Sequence, residues 1–297
     1  MQPIPRPARL LTIVILGISA LHAGHRVSLG PYVLPPARTL GLIVKARVNG
    51  GPVLRLLLDS GTQYLVLDRK AARKSACGGG ADLDLVGAGG PATVVERLQA
   101  RTVELGDLTL RDVPVLIANR QLPDGLQGVF PLSALAEFLI RLDIPGKSLD
   151  LQPYPREQAE TQGALPAVSN NQLLFLKGTV NETHEGYFLL DTGASYNAIS
   201  RNMVRRLNIS EALASLVPMQ GGVAEMDAPL LTGQVRLRLP TNELVRGPVV
   251  ALDLSTASRY HNLEVSGLIG YPALSESVLS VNYRDSLVAI GSRGNGQ

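Results

Sequence analysis

KARVNGGPVLRLLLDSG, Lys45 to Gly61, is met again 132 positions later as KGTVNETHEGYFLLDTG, Lys177 to Gly193. Seven of the seventeen positions are identical, where about one match is expected at average residue usage. Internal repetition has to be read before anything else, because it decides how many times one structural idea is used. The same offset lays Asp68 over Ser200, each a good N-cap ahead of a helical stretch (RKAARKSA, RNMVRRLN), and Gly89-Gly90 over Gly221-Gly222. Beyond these the offset becomes 139, with GVFPLSAL from Gly128 over GLIGYPAL from Gly267, and FLIRLDIPGKSLDL (138–151) over SVLSVNYRDSLVAI (277–290). Seven extra residues in one connection account for the change.

Each half reads mostly as strand. Leu42–Val48 and Val53–Leu58 are β-prone apolar runs around Asn49-Gly50, a strong hairpin signal. Tyr64–Leu67 is a further short strand, and Glu104–Leu110 with Val113–Ile117 reads as a pair turning at Arg111-Asp112, echoed by Val235–Leu239 and Val249–Leu252. Many short strands at this spacing predict an all-β fold of closed or sandwiched sheets, with a short helix or two per half. The boundaries follow: a first lobe over 39–151, a linker over 152–171 rich in Pro, Gly and polar residues, and a second lobe over 172–291.

Composition narrows the function. The chain has 297 residues, 45% of them apolar, which suffices for two ordinary domains and excludes a disordered chain. A single cysteine, Cys77, cannot close an internal disulfide, and four histidines at 22, 25, 184 and 261 lack ligand spacing, so no metal site is expected. His184 and His261 read as solvated residues of a turn and a polar loop. Net charge is +3 without a run of five like charges and with no Trp, which argues against a nucleic-acid partner. Basic residues are 23 Arg to 5 Lys, a bias that points to a GC-rich bacterial genome.

The first 23 residues read as a signal peptide. Arg6 and Arg9 precede the apolar run Leu10–Ala20, and small residues follow at Ala20 and Ala23. The run is short of the ~20 apolar residues that span a bilayer, so the expectation is cleavage and a periplasmic or secreted body with no stable membrane insertion; an uncleaved anchor is the alternative.

The chemistry lies in the repeated turn. A carboxylate placed by an apolar strand at the edge of a core is costly unless solvated, hydrogen-bonded or paired. One Asp-Ser/Thr-Gly turn reads equally as an ordinary Asp turn with Gly supplying positive φ; two at matching places in a repeat do not. Brought together across a pseudo-twofold axis, Asp59 and Asp191 can share one proton, because like charges at that distance resist ionising together.

LLLDSGT (56–62) and FLLDTGAS (188–195), with GLIG (267–270), resemble retropepsin-like aspartic peptidases over most of the chain from about Thr39 to Ile290. The resemblance implies two tandem retropepsin-like β-barrel lobes related by a pseudo-twofold axis, a bacterial secreted endopeptidase acting on peptide or protein without a cofactor, and one chain working as a monomer. It implies that Asp59 and Asp191 are catalytic and activate water. It implies that Ser60 and Thr192 brace the two loops, that Gly61 and Gly193 offer backbone to the peptide, and that hairpins at Gly89-Gly90 and Gly221-Gly222 close over it as flaps. Merely Gly-rich surface turns are the alternative for those four glycines. Thr62 is expected to donate its hydroxyl to the nearby carboxylate, which Ala194 at the matching position cannot do. Two departures stand out: Gln63, and Pro131 where the apolar-apolar-Gly segment calls for Gly, which puts the first lobe's ψ-shaped loop in question. Two other readings remain at this point, a catalytically dead binder of peptide or wall polymer on the same fold, and a structural envelope protein.

Overall fold

The computed structural model describes residues 15–16, 24–34, 38–85, 93–118, 122, 125–154, 163–210, 215–220, 225–231, 235–239 and 247–292. The fold is mostly β, in two tandem lobes with short helices. In each lobe a hairpin starts the construction. Arg38–Val48 pairs with Val53–Asp59 and Leu173–Val180 with His184–Asp191. Both turns place two successive residues at positive φ, Asn49 (51°) with Gly50 (70°) and Asn181 (48°) with Glu182 (63°), the backbone twist that a tight hairpin needs. The repeated Asn also ties its turn to a neighbouring strand, since Asn49 Oδ1 accepts the Thr102 amide at 3.0 Å and Asn181 Oδ1 the Arg236 amide at 2.8 Å.

A later strand then inserts beside the second arm. Gly128–Pro131 runs parallel to Val53–Asp59 and antiparallel to Leu65–Leu67, with Pro131 opposite Asp59. Val265–Gly270 repeats this between His184–Asp191 and Asn197–Ser200, with Gly270 opposite Asp191. The ψ-shaped arrangement therefore forms in both lobes, Pro131 included. The expected caps hold as well: the Asp68 side chain accepts the Ala71 amide at 2.6 Å and Ser200 Oγ the Met203 amide at 3.1 Å.

One expected turn is misplaced. The strands Thr93–Leu105 and Leu108–Ile117 turn at Gly106-Asp107, with Gly106 at φ 63°, and strand continues through Arg111-Asp112. Asp112 is a single positive-φ residue (53°) inside that strand, which a turn-forming residue type can adopt without ending it.

Six strands join the lobes: His25–Ser28, Ser148–Pro153, Phe138–Asp143, Ser277–Asn282, Leu287–Ser292 and Leu165–Asn170, in that spatial order. At the centre Arg141 pairs with Ser280, and Ile140 with Val281. Arg141 and Ser280 are equivalents at offset 139, so the pseudo-twofold axis passes between them. Leu165–Asn170 lies within the stretch read as linker and pairs with both Leu173–Val180 and Leu287–Ser292. Ile15–Leu16, within the segment read as signal, pairs with Leu110 and Arg111. Among the described residues no helix is long and apolar enough to cross a membrane. Cys77 packs half-buried against the core, and burial raises its thiol pKa, as suits a small hydrophobe.

Two strand pairs are described on either side of the glycines expected in flaps. The arms Gly78–Leu85 and Thr93–Leu105 pair down to Leu85 opposite Thr93, and Leu216–Gln220 pairs with Glu225–Pro229. Gly89, Gly90, Gly221 and Gly222 themselves lie outside the described residues.

Candidate active site

Alternation in VLRLLLD delivers the first carboxyl. Leu54, Leu56 and Leu58 point into the core at 3%, 0% and 1% exposure, and Asp59 follows at the strand end. Phe188 and Leu190 anchor the second strand in the same way ahead of Asp191. The two turns then lock across the lobes. Ser60 Oγ donates to the Leu190 carbonyl (2.8 Å) and accepts the Thr192 amide (3.0 Å). Thr192 Oγ1 donates to the Leu58 carbonyl (3.0 Å) and accepts the Ser60 amide (3.1 Å). Both hydroxyls are buried, so all four bonds are shielded from competing water.

This lock presses each carboxyl onto the opposite lobe's glycine. A Cβ added at Gly61 would stand 2.5 Å from the Asp191 carboxyl carbon, and one at Gly193 2.5 Å from that of Asp59. No side chain fits there. The two buried carboxyls bear directly on each other, the charge of Asp191 raising the cost of ionising Asp59, so the pair resists ionising together. The Gly61 amide donates to Asp59 Oδ1 at 2.6 Å, while Gly193 (3.1 Å) and Ala194 (2.9 Å) both donate to Asp191 Oδ1.

Burial raises both carboxyl pKa values, Asp59 well above the ordinary carboxylate range because the charge of Asp191 lies beside it. Asp191 is raised less, since its hydrogen bond with Asp59 and the Ala194 and Gly193 amides favour its charged form. Thr62 departs from expectation: among the described residues its hydroxyl makes no hydrogen bond to Asp59, so the asymmetry of the pair is set by backbone amides and not by that hydroxyl.

Three groups escaped the sequence reading. Asn197, fully buried, holds the Gly270 amide at 2.9 Å; its signal was available, because the repeat places Leu65 opposite it. Tyr283, in the turn between Ser277–Asn282 and Leu287–Ser292, has its phenol pKa pushed up by burial and by the charge of Asp59. His261, expected to be solvated, is 8% exposed and stacks edge-on against Phe175 and Tyr260, so burial lowers its pKa to about 4.

A family model described as "Aspartyl protease" matches residues 44–129 and 176–273, one segment in each lobe. The chain belongs to the aspartyl protease family. The two matched segments of this aspartyl protease contain the two Asp turns and the inserted strand Val265–Gly270, and the first ends at Val129, inside the inserted strand Gly128–Pro131. The crystal structure of an aspartic proteinase from Irpex lacteus superposes on 92% of this chain and 98% of its own, with a TM-score of 0.54 and 12% identity, a likeness of fold. No curated protein matches the sequence.

Proposed function

We propose that this aspartyl protease is an endopeptidase in which Asp59 and Asp191 share one proton and activate water against a peptide bond. The observation that carries the reading is the buried pair of carboxyls, each seated on the other lobe's glycine. An ionised and a protonated carboxyl side by side act as base and acid at once. The base takes a proton as the water oxygen bonds to the peptide carbon, and the acid delivers its proton to the carbonyl oxygen. The resulting gem-diol collapses when a proton passes to the amide nitrogen and the C–N bond breaks, which returns the pair to its starting state.

Ser60 and Thr192 hold the loops, Gly61 and Gly193 leave room for the crossing carboxyls and offer backbone to substrate, and the hairpins bearing Gly89-Gly90 and Gly221-Gly222 close over it. Both lobes come from one chain, so the active species is a monomer, with 39–151 and 172–291 as its lobes. After removal of residues 1–23 it acts in the periplasm or outside the cell. The test is incubation of the mature chain with a mixed peptide library, with and without a statine-type inhibitor, followed by sequencing of products. Inhibitor-sensitive internal cleavage is expected; an uncleaved library would refute the reading.

A further inference from the structure

The repeat breaks at two touching positions together. Leu65 stands where the second lobe has Asn197, and Pro131 where it has Gly270. In the second lobe the Gly270 amide donates to Asn197 Oδ1 at 2.9 Å. A Cβ at position 270 would lie 2.3 Å from the Tyr196 carbonyl and 3.0 Å from that of Ala194, so only glycine lets residues 194–196 pack there. The next amide, Tyr271, donates to the Ala194 carbonyl at 2.9 Å. These contacts draw the loop against the strand end, and the Ala194 amide is left pointing at Asp191 Oδ1.

The first lobe lacks every part of this device. Pro131 has no amide to donate, it carries side-chain atoms where Gly270 admits the backbone of residues 194–196, and Leu65, fully buried, offers no acceptor. Backbone ψ is 127° at Pro131 against 176° at Gly270. Among the described residues no amide of Leu132 reaches the Thr62 carbonyl, and Asp59 accepts only the Gly61 amide from its own loop. Leu65 with Pro131 is therefore a matched apolar replacement, which keeps the strand pairing and gives up the loop contact.

We propose that Asn197 is a positioning residue which, through Gly270 and the Ala194 amide, makes Asp191 the ionised member of the dyad and Asp59 the protonated one. In the endopeptidase reading, on which these roles rest, Asp191 takes the water proton while Asp59 protonates the carbonyl oxygen. Asp191 then gives a proton to the leaving nitrogen and Asp59 recovers one from the gem-diol, so protons balance over the cycle. The Tyr283 phenol, kept neutral by burial, also feels the charge of Asp59.

The order of ionisation can be read without catalysis. In the mature chain carrying 13C-labelled Asp carboxyls, with signals assigned by their loss in Asp59→Asn and Asp191→Asn, the Asp191 carbon is expected to titrate in the lower-pH step and the Asp59 carbon in the upper. Titration of Asp59 first would overturn the proposal. Asn197→Leu frees the Gly270 amide and weakens the hold of the Ala194 amide on Asp191. The lower step and the acidic limb of kcat/KM should both rise by roughly one pH unit, the size of one charge-assisted hydrogen bond. A merely structural role would lower kcat and leave that limb in place, and so would sink the idea. If Asn197→Leu does not fold, Leu65→Asn with Pro131→Gly gives the converse arm, in which the Asp59 step must move down. Absence of hydrolysis by wild type together with the stated titration order would remove the peptidase reading and support the ionisation assignment.

Discussion

Replacing Thr192 by Val keeps the side chain's shape and removes its hydroxyl, so the change isolates the lock between the lobes. Thr192 is 3% exposed, donates to the Leu58 carbonyl and accepts the Ser60 amide. Valine leaves both backbone groups buried without partners. At about 1–3 kcal/mol for each unsatisfied group, the expected loss of stability is about 2–6 kcal/mol, with no cavity term because the side chain's shape is kept. Those two groups flank Asp59, so the carboxyl pair also shifts, and a misplacement of about 1 Å is worth roughly a hundredfold in rate. Urea unfolding followed by circular dichroism should show a lowered midpoint at an unchanged m-value, and kcat should fall while Thr192→Ser, which keeps the hydroxyl, stays near wild type. A Val variant within about 0.5 kcal/mol of wild type, well under a single unsatisfied group, would refute the lock as described.

Four further outcomes follow from the same geometry. Gly193→Ala should abolish hydrolysis, because its Cβ would meet the Asp59 carboxyl at 2.5 Å; retained kcat would show that the carboxyls can move apart. Since the folded pKa of Asp59 lies well above the ordinary carboxylate value of 3.8, the folded state binds the proton more tightly, and this group's contribution to stability declines as pH rises past 3.8. Asp59→Asn should accordingly raise Tm at neutral pH, with the gain vanishing in acid. His261 works in the opposite sense: its pKa falls from 6.5 to about 4, so stability is lost as pH drops through that window, by at most about 3 kcal/mol, and His261→Gln should flatten the acid side of a Tm–pH plot. Sedimentation of the active species should give a monomer, since one chain carries both turns.

How far the fold could be read in advance differs by element. The hairpins and Asp turns were legible because their signals are local: Asn-Gly between apolar runs, and Asp-Ser/Thr-Gly after Leu-Leu. The strand Leu165–Asn170 was not, because only Leu165 in it is buried, so it carries no apolar alternation, and its two ends pair with strands from different parts of the chain, Leu287–Ser292 and Leu173–Val180. The joining sheet pairs Phe138–Asp143, near the middle of the chain, with Ser277–Asn282 near its end, a partnership that no local pattern encodes. Thr62 failed for a related reason: its residue type permits a bond to Asp59, but the strand end beside Asp59 is Pro131, which lies far away in sequence. His261 sits between polar neighbours in sequence, yet its helix, Ser255–His261, turns it onto Phe175.

The central claim is that two aspartates act as one catalytic unit. It is tested most directly by measuring cleavage of a peptide library by the mature wild-type chain, Asp59→Asn and Asp191→Asn, from acid to neutral pH. A bell-shaped kcat/KM profile is expected for wild type, its two limbs belonging to the pair. Each variant should be inactive at every pH while keeping the wild-type circular dichroism spectrum. Full activity in either variant would contradict the account.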